Sequence, residues 1–160
     1  MIKAVIFDWG DTVMRDFKLD GPMSGWDRVA WVEGAEELLM ALHPSFTCII
    51  ATSASHSNTS DMIAALKRVG ADQYFHQFYS QKELGFQKPD PRFFQAVLDQ
   101  SALKADECVM IGNIYEMDIV GAKTVGMTTI FLNENQIPGT FPSANLVVSK
   151  LTDAINFLLT

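Results

Sequence analysis

The chain has 160 residues, 48% of them apolar, which is close to the size of one domain and enough for one continuous core. Nineteen acidic against twelve basic residues give a net charge of −7, so phosphate-rich surfaces are repelled, and neither nucleic acid nor an anionic membrane is expected as a partner. The N-terminal run MIKAVIFD reaches an aspartate after a few apolar residues, too soon for a signal segment or a membrane span, and a cytoplasmic protein is expected.

Taken in chain order, short apolar runs alternate with stretches of helical period. Ala4 to Phe7 reads as a buried strand. After a polar and aromatic segment from Arg15 to Val32 that fits neither period, Ala35, Leu38, Leu39 and Leu42 mark a helix. Phe46 to Ala51 is the second strand. Met62, Ile63, Leu66 and Val69 line a second helix that stops before Gly70. Gln77 to Ser80 reads as a short strand. Asp90 as N-cap and Pro91 at the first helical position open a helix whose inner face is Phe93, Phe94, Val97 and Leu98. Cys108 to Ile111 is a strand, Tyr115 to Val125 a helix closed by Gly126, Thr129 to Leu132 a strand, and Asn145 to Val148 with Leu151 to Leu159 a final strand and helix. Both cysteines, Cys48 and Cys108, fall in apolar runs with no CxxC or Cys/His spacing, and read as buried free thiols. Strand and helix alternating in this way predict an α/β fold: a three-layer, Rossmann-like parallel sheet covered on both faces. Residues 1–160 are expected to form a single domain carrying a short insert at about residues 14–33.

In such sheets ligands bind beyond the carboxyl ends of the strands. The polar residues that follow the apolar runs are therefore the informative ones: Asp8, Thr52 and Ser53, then Asn113 and Asp118. Lys88 precedes the helix capped by Asp90, where its ammonium is expected near the positive end of that helix. An unprotonated carboxylate to attack phosphorus, a hydroxyl and a lysine to neutralise its oxygens, and a second carboxylate make a phosphoryl-transfer site. Two facing carboxylates repel, and a magnesium ion between them resolves this.

Phe7-Asp8-Trp9-Gly10-Asp11-Thr12 resembles the first motif, DxDxT, of the haloacid dehalogenase-like superfamily. Thr52 matches its second motif, Lys88 in Lys88-Pro89-Asp90-Pro91 its third, and Gly112-Asn113 with Asp118 its fourth, GDxxxxD. The resemblance implies a capless phosphatase-like hydrolase with an aspartyl-phosphate intermediate on Asp8. It implies Trp9, Gly10, Thr52, Ser53 and Lys88 around the phosphoryl group, and Asp8, Gly10, Asn113 and Asp118 around Mg2+. A small phosphorylated substrate or a phosphoprotein is the expected partner. Oligomeric state stays open, since capless relatives often complete the site with a neighbouring copy.

Two departures from the pattern bear on activity. Gly10 stands where the family has the aspartate that protonates the leaving oxygen, and losing such an acid costs about 10² to 10⁴ in rate, least for acyl and aryl phosphates. Asp11 is ionisable, but one residue along an extended backbone its side chain points elsewhere. Asn113 replaces an anionic metal ligand with a neutral amide, which weakens magnesium binding. These departures motivate an alternative, a catalytically weakened relative that binds a phosphorylated ligand or protein without turning it over. A receiver-like phosphoacceptor is opposed by residue order, because Lys88 precedes the second acidic cluster. The insert is too short for a helical cap, and Trp9, Trp26 and Trp31 in or beside it are expected to pack as core or lid. His43, His56 and His76 share no spacing and are assigned no role.

Overall fold

The computed structural model describes residues 1–160. The apolar runs become strands β1 (Ala4–Phe7), β2 (Thr47–Thr52), β3 (Gln77–Ser80), β4 (Cys108–Gly112), β5 (Thr128–Leu132) and β6 (Leu146–Val148). They form one parallel sheet in the order β3-β2-β1-β4-β5-β6. The chain reverses its direction of winding between β1 and β4, which makes the carboxyl ends of those two strands the natural ligand crevice.

Alternation along β1 divides the core between the two sheet faces. Val5 and Phe7 pack with Leu38, Leu39 and Leu42 of helix α1 (Ala35–Leu42), with Met62 and Leu66 of α2 (Thr59–Arg68), and with Ala154 of α6 (Ala154–Leu159). Ala4 and Ile6 face the other way, onto Phe93, Phe94 and Val97 of α4 (Pro91–Ser101) and Ala122 of α5 (Gly121–Thr124). A short helix, α3 (Gln81–Leu84), follows β3 directly. The fold is thus the expected three-layer α/β arrangement. No helix is long and apolar enough to cross a membrane.

Helix α2 is capped by Asn58, which forms a reciprocal capping box with Asp61. The single helix expected over Tyr115–Val125 is instead a π-helical turn, Tyr115–Val120, followed by α5. The wider turn brings Asp118 back toward β4, where its Oδ2 accepts a hydrogen bond from Ile114 N at 3.1 Å. Gly112 leaves the room for this: a Cβ there would lie 2.3 Å from Asp118 Cβ. Gly121 does the same for the packing of α5, since a Cβ would meet the Phe94 ring at 2.5 Å.

The insert folds down onto the core. Met14 bridges to Gly10 and Trp31, Arg15 N donates to Ala30 O, and Val32 N to Val13 O. Trp9 and Trp26 belong to the buried core, and the Trp31 indole donates to Val69 O at the end of α2. Their packing follows the core-and-lid expectation. Burial pushes the Cys48 thiol up to about 12, and burial with the nearby Glu107 and Asp106 pushes Cys108 to about 11. Both stay protonated, unreactive thiols at neutral pH.

Candidate active site

Three charged side chains meet at the carboxyl ends of β1 and β4. Asp8 follows β1 directly, with its backbone N–H bonded to Ile111 O at 2.9 Å. Lys88 Nζ donates to Asp8 Oδ1 at 2.8 Å and to Asp118 Oδ1 at 2.9 Å. The ammonium therefore bridges two carboxylates and lies 5.6 Å from the centre of the Phe93 ring in the first turn of α4. All three side chains are buried. Burial alone would lower the Lys88 ammonium, but Asp118 and Asp8 outweigh it and hold the lysine above its ordinary value. Burial, helped by Asp8, pushes Asp118 up to about 6 against the opposing pull of Lys88 and the Ile114 amide. With one ammonium for two carboxylates, the cluster keeps an excess of one negative charge.

The second Asp8 oxygen, Oδ2, faces a different set of partners. Thr12 Oγ1 donates to it at 3.1 Å. Asn113 reaches it from β4, with one terminal amide atom 2.9 Å from Asp8 Oδ2, 3.3 Å from Gly10 O and 3.2 Å from Thr12 Oγ1. With nitrogen turned inward, the amide has two N–H groups for these three acceptors, Asp8 Oδ2 being the nearest at 2.9 Å. With oxygen turned inward, Asp8 Oδ2, Gly10 O and Asn113 Oδ1 crowd together with no amide proton to share, which a cation reconciles. Adjacent oxygens around a Mg2+ at about 2.0–2.1 Å stand about 2.9 Å apart; the Asp8–Asn113 spacing of 2.9 Å matches this, and the 3.3 Å to Gly10 O is a few tenths longer. Asp118, expected in the same set, has its two oxygens engaged by Lys88 and Ile114 N.

Thr52, at the end of β2, is buried with its Oγ1 accepting from Ala54 N at 3.0 Å, which leaves its hydroxyl proton to donate elsewhere. Ser53 Oγ accepts from Lys88 N at 2.9 Å, so it ties the loop after β2 to the lysine. A cavity of about 580 Å³ opens over Asp8, Thr52, Ser53, Lys88 and Asp118, with Trp9 and Gly10 in its wall. Asn113 borders a smaller cavity of about 170 Å³ and reaches Asp8 from that side.

Residues that the sequence reading gave no role also line the large cavity: Asp16 and Lys18 from the insert, and His56 from the loop after β2. The insert fits no helical or strand period, so nothing in its spacing singles them out. His76 is structural, its Nδ1 accepting from Cys48 N at 3.0 Å, and His43 meets Tyr74 edge to face.

The doubly wound α/β sheet thus carries a lysine-bridged carboxylate pair and a hydroxyl at its switch point. The sequence model of the haloacid dehalogenase-like hydrolases matches residues 12–132, so the chain belongs to that family. The glyceraldehyde 3-phosphate phosphatase of Methanothermobacter thermautotrophicus is 37% identical over 68 residues, which span 42% of this chain and 30% of that enzyme. The chain thus matches less than a third of that relative's length. A structure from Listeria monocytogenes serotype 4b, of an uncharacterized protein, superposes with a TM-score of 0.86 at 26% identity, over 99% of this chain and 97% of that one. The putative hydrolase YfnB of Bacillus subtilis, solved bound to magnesium, superposes with a TM-score of 0.82 at 17% identity, over 99% of both chains.

Proposed function

We propose that the protein is a magnesium-dependent phosphomonoester hydrolase that works through an aspartyl phosphate on Asp8. The observation that carries this reading is the placement of Asp8: one oxygen on the Lys88 ammonium, the other among Thr12, Asn113 and Gly10 O, at the floor of a cavity. Asp8 attacks phosphorus. Lys88 and the free Thr52 proton bind the phosphoryl oxygens and stabilise charge that develops on them. Asp118 holds Lys88 in place, and Ser53 fixes the lysine's backbone. When bound, a magnesium ion held by Asp8, Gly10 O and Asn113 would supply electrostatic shielding between the attacking carboxylate and the anionic substrate. A cavity of about 580 Å³ suits a small phosphorylated metabolite, and the phosphatase identity of the Methanothermobacter relative supports that class.

Initial rates on acetyl phosphate and p-nitrophenyl phosphate test the reading. Turnover should vanish in EDTA and return with excess Mg2+, whereas rates indifferent to EDTA would remove the metal from the account. The inward-nitrogen orientation of Asn113, which satisfies Asp8 Oδ2 with no cation, favours the second reading, a binder of phosphorylated ligands without turnover. That reading predicts saturable phosphate binding and no hydrolysis of any ester.

The amide also makes a prediction of its own. Asn113→Asp exchanges a group able to mimic the cation for one that repels Asp8 until a cation arrives. Magnesium affinity measured by calorimetry should rise by about tenfold or more, as expected when a ligand set gains a charge. An unchanged affinity would mean that Asn113 does not touch the ion.

A further inference from the structure

Gly10 leaves the family's acid position without a side chain, but the space beside it is not without a carboxyl group. A Cβ built on Gly10 would lie 3.6 Å from Asp16 Cβ and 3.8 Å from Asp16 Oδ2. Asp16 lines the same cavity as Asp8, Thr52 and Lys88. Its conformation is fixed from both sides. The Asp16 backbone N–H donates to Asp11 Oδ1 at 3.0 Å, and Asp16 Oδ1 accepts from Lys18 N at 2.9 Å. Oδ2, the oxygen nearer Gly10, receives no hydrogen bond or ion pair from the protein and stays available to a ligand. Asp11, the other carboxylate close in sequence, is turned away in a left-handed conformation (φ 57°) and borders the smaller cavity with Arg15 and Glu134.

We propose that Asp16, delivered by the insert, performs the proton transfers that a side chain at position 10 performs elsewhere; the inference rests on the phosphotransfer reading above. As Asp8 bonds to phosphorus, the ester P–O bond breaks and the leaving oxygen takes the proton of the Asp16 carboxyl, so a neutral alcohol departs. The Asp16 carboxylate then takes a proton from water as that water's oxygen bonds to phosphorus. The Asp8–phosphorus bond breaks, inorganic phosphate leaves, and Asp16 is again protonated. Asp11 serves as a positioning residue, its Oδ1 accepting from the Asp16 backbone N–H.

The test is kcat/KM for a series of monoesters from p-nitrophenyl through phenyl to alkyl phosphates, compared for wild type, Asp16→Asn, the double variant Asp16→Asn with Gly10→Asp, and Asp8→Asn. Loss of the acid should lower alkyl phosphates by about 10² to 10⁴ and p-nitrophenyl phosphate by less than about tenfold, so the dependence on leaving group steepens. The double variant restores the acid at position 10, where a Cβ makes only ordinary contacts, and should recover the shallow dependence. Gly10→Asp in an otherwise wild-type chain should gain far less, since the acid is then already present. A uniform loss across the series, or none, would overturn the role of Asp16. Turnover that survives Asp8→Asn would instead overturn the phosphotransfer reading itself, and a wild type inert toward every ester would overturn both.

Discussion

Replacing Lys88 by methionine is expected to cost about 3–5 kcal/mol of folding stability and about 10² to 10³ in kcat. The ammonium is buried and bridges Asp8 and Asp118 at 2.8 and 2.9 Å. Methionine fills much of the same volume but leaves two buried carboxylates facing each other without a counter-charge. Deleting one partner of such a cluster is far more costly than never having built it, because the desolvated charges stay behind. Urea denaturation measures the stability loss. Added Mg2+ should recover part of it, since a divalent cation supplies the missing charge near Asp8, while turnover stays low for want of the phosphate-binding ammonium. Near-native stability in the variant would mean that the ion pairs contribute little.

Asp8→Asn should behave in the opposite way on stability and more severely on activity. Turnover should fall by at least about 10⁴-fold, because an amide cannot form the covalent intermediate. Folding stability should be retained or raised. The cluster carries one carboxylate more than it has ammonium groups, and asparagine removes that excess while its amide oxygen still accepts from Lys88. Its new NH2 group can donate to Thr12 Oγ1 or to an Asn113 amide turned oxygen-inward, so no buried donor is stranded. Stabilisation by added Mg2+ should disappear with the charged ligand. An inactive variant that is at least as stable as wild type separates a chemical role for Asp8 from a structural one.

The parts of this architecture that local sequence specifies were legible in it. Asp90 and Pro91 announce the start of α4 because capping and a fixed proline φ act within one turn. The strands were legible because parallel strands buried on both faces must be continuous apolar runs. The polar residue after each run then had to reach the ligand-bearing rim, and Asp8, Thr52, Lys88 and Asp118 do converge there. What depends on contacts between distant segments was not legible. That Lys88 bridges both carboxylates is set across sequence separations of 80 and 30 residues. The π-helical turn at Tyr115–Val120 answers to Asp118 and Gly112 and not to helical period. Asp16 was hidden for the same reason. Its approach to Gly10 depends on a tight loop closed by Asp11 N bonding to Met14 O at 2.7 Å, and no periodicity encodes that closure.

The aspartyl phosphate is tested by mixing the protein with acetyl phosphate and Mg2+, quenching in acid within milliseconds to seconds, and locating the phosphoryl group by mass spectrometry. One phosphoryl group is expected on Asp8, released by hydroxylamine as an acyl phosphate should be, with no label on Asp8→Asn. Phosphorylation at another residue, or equal labelling of the Asp8→Asn protein, would contradict it.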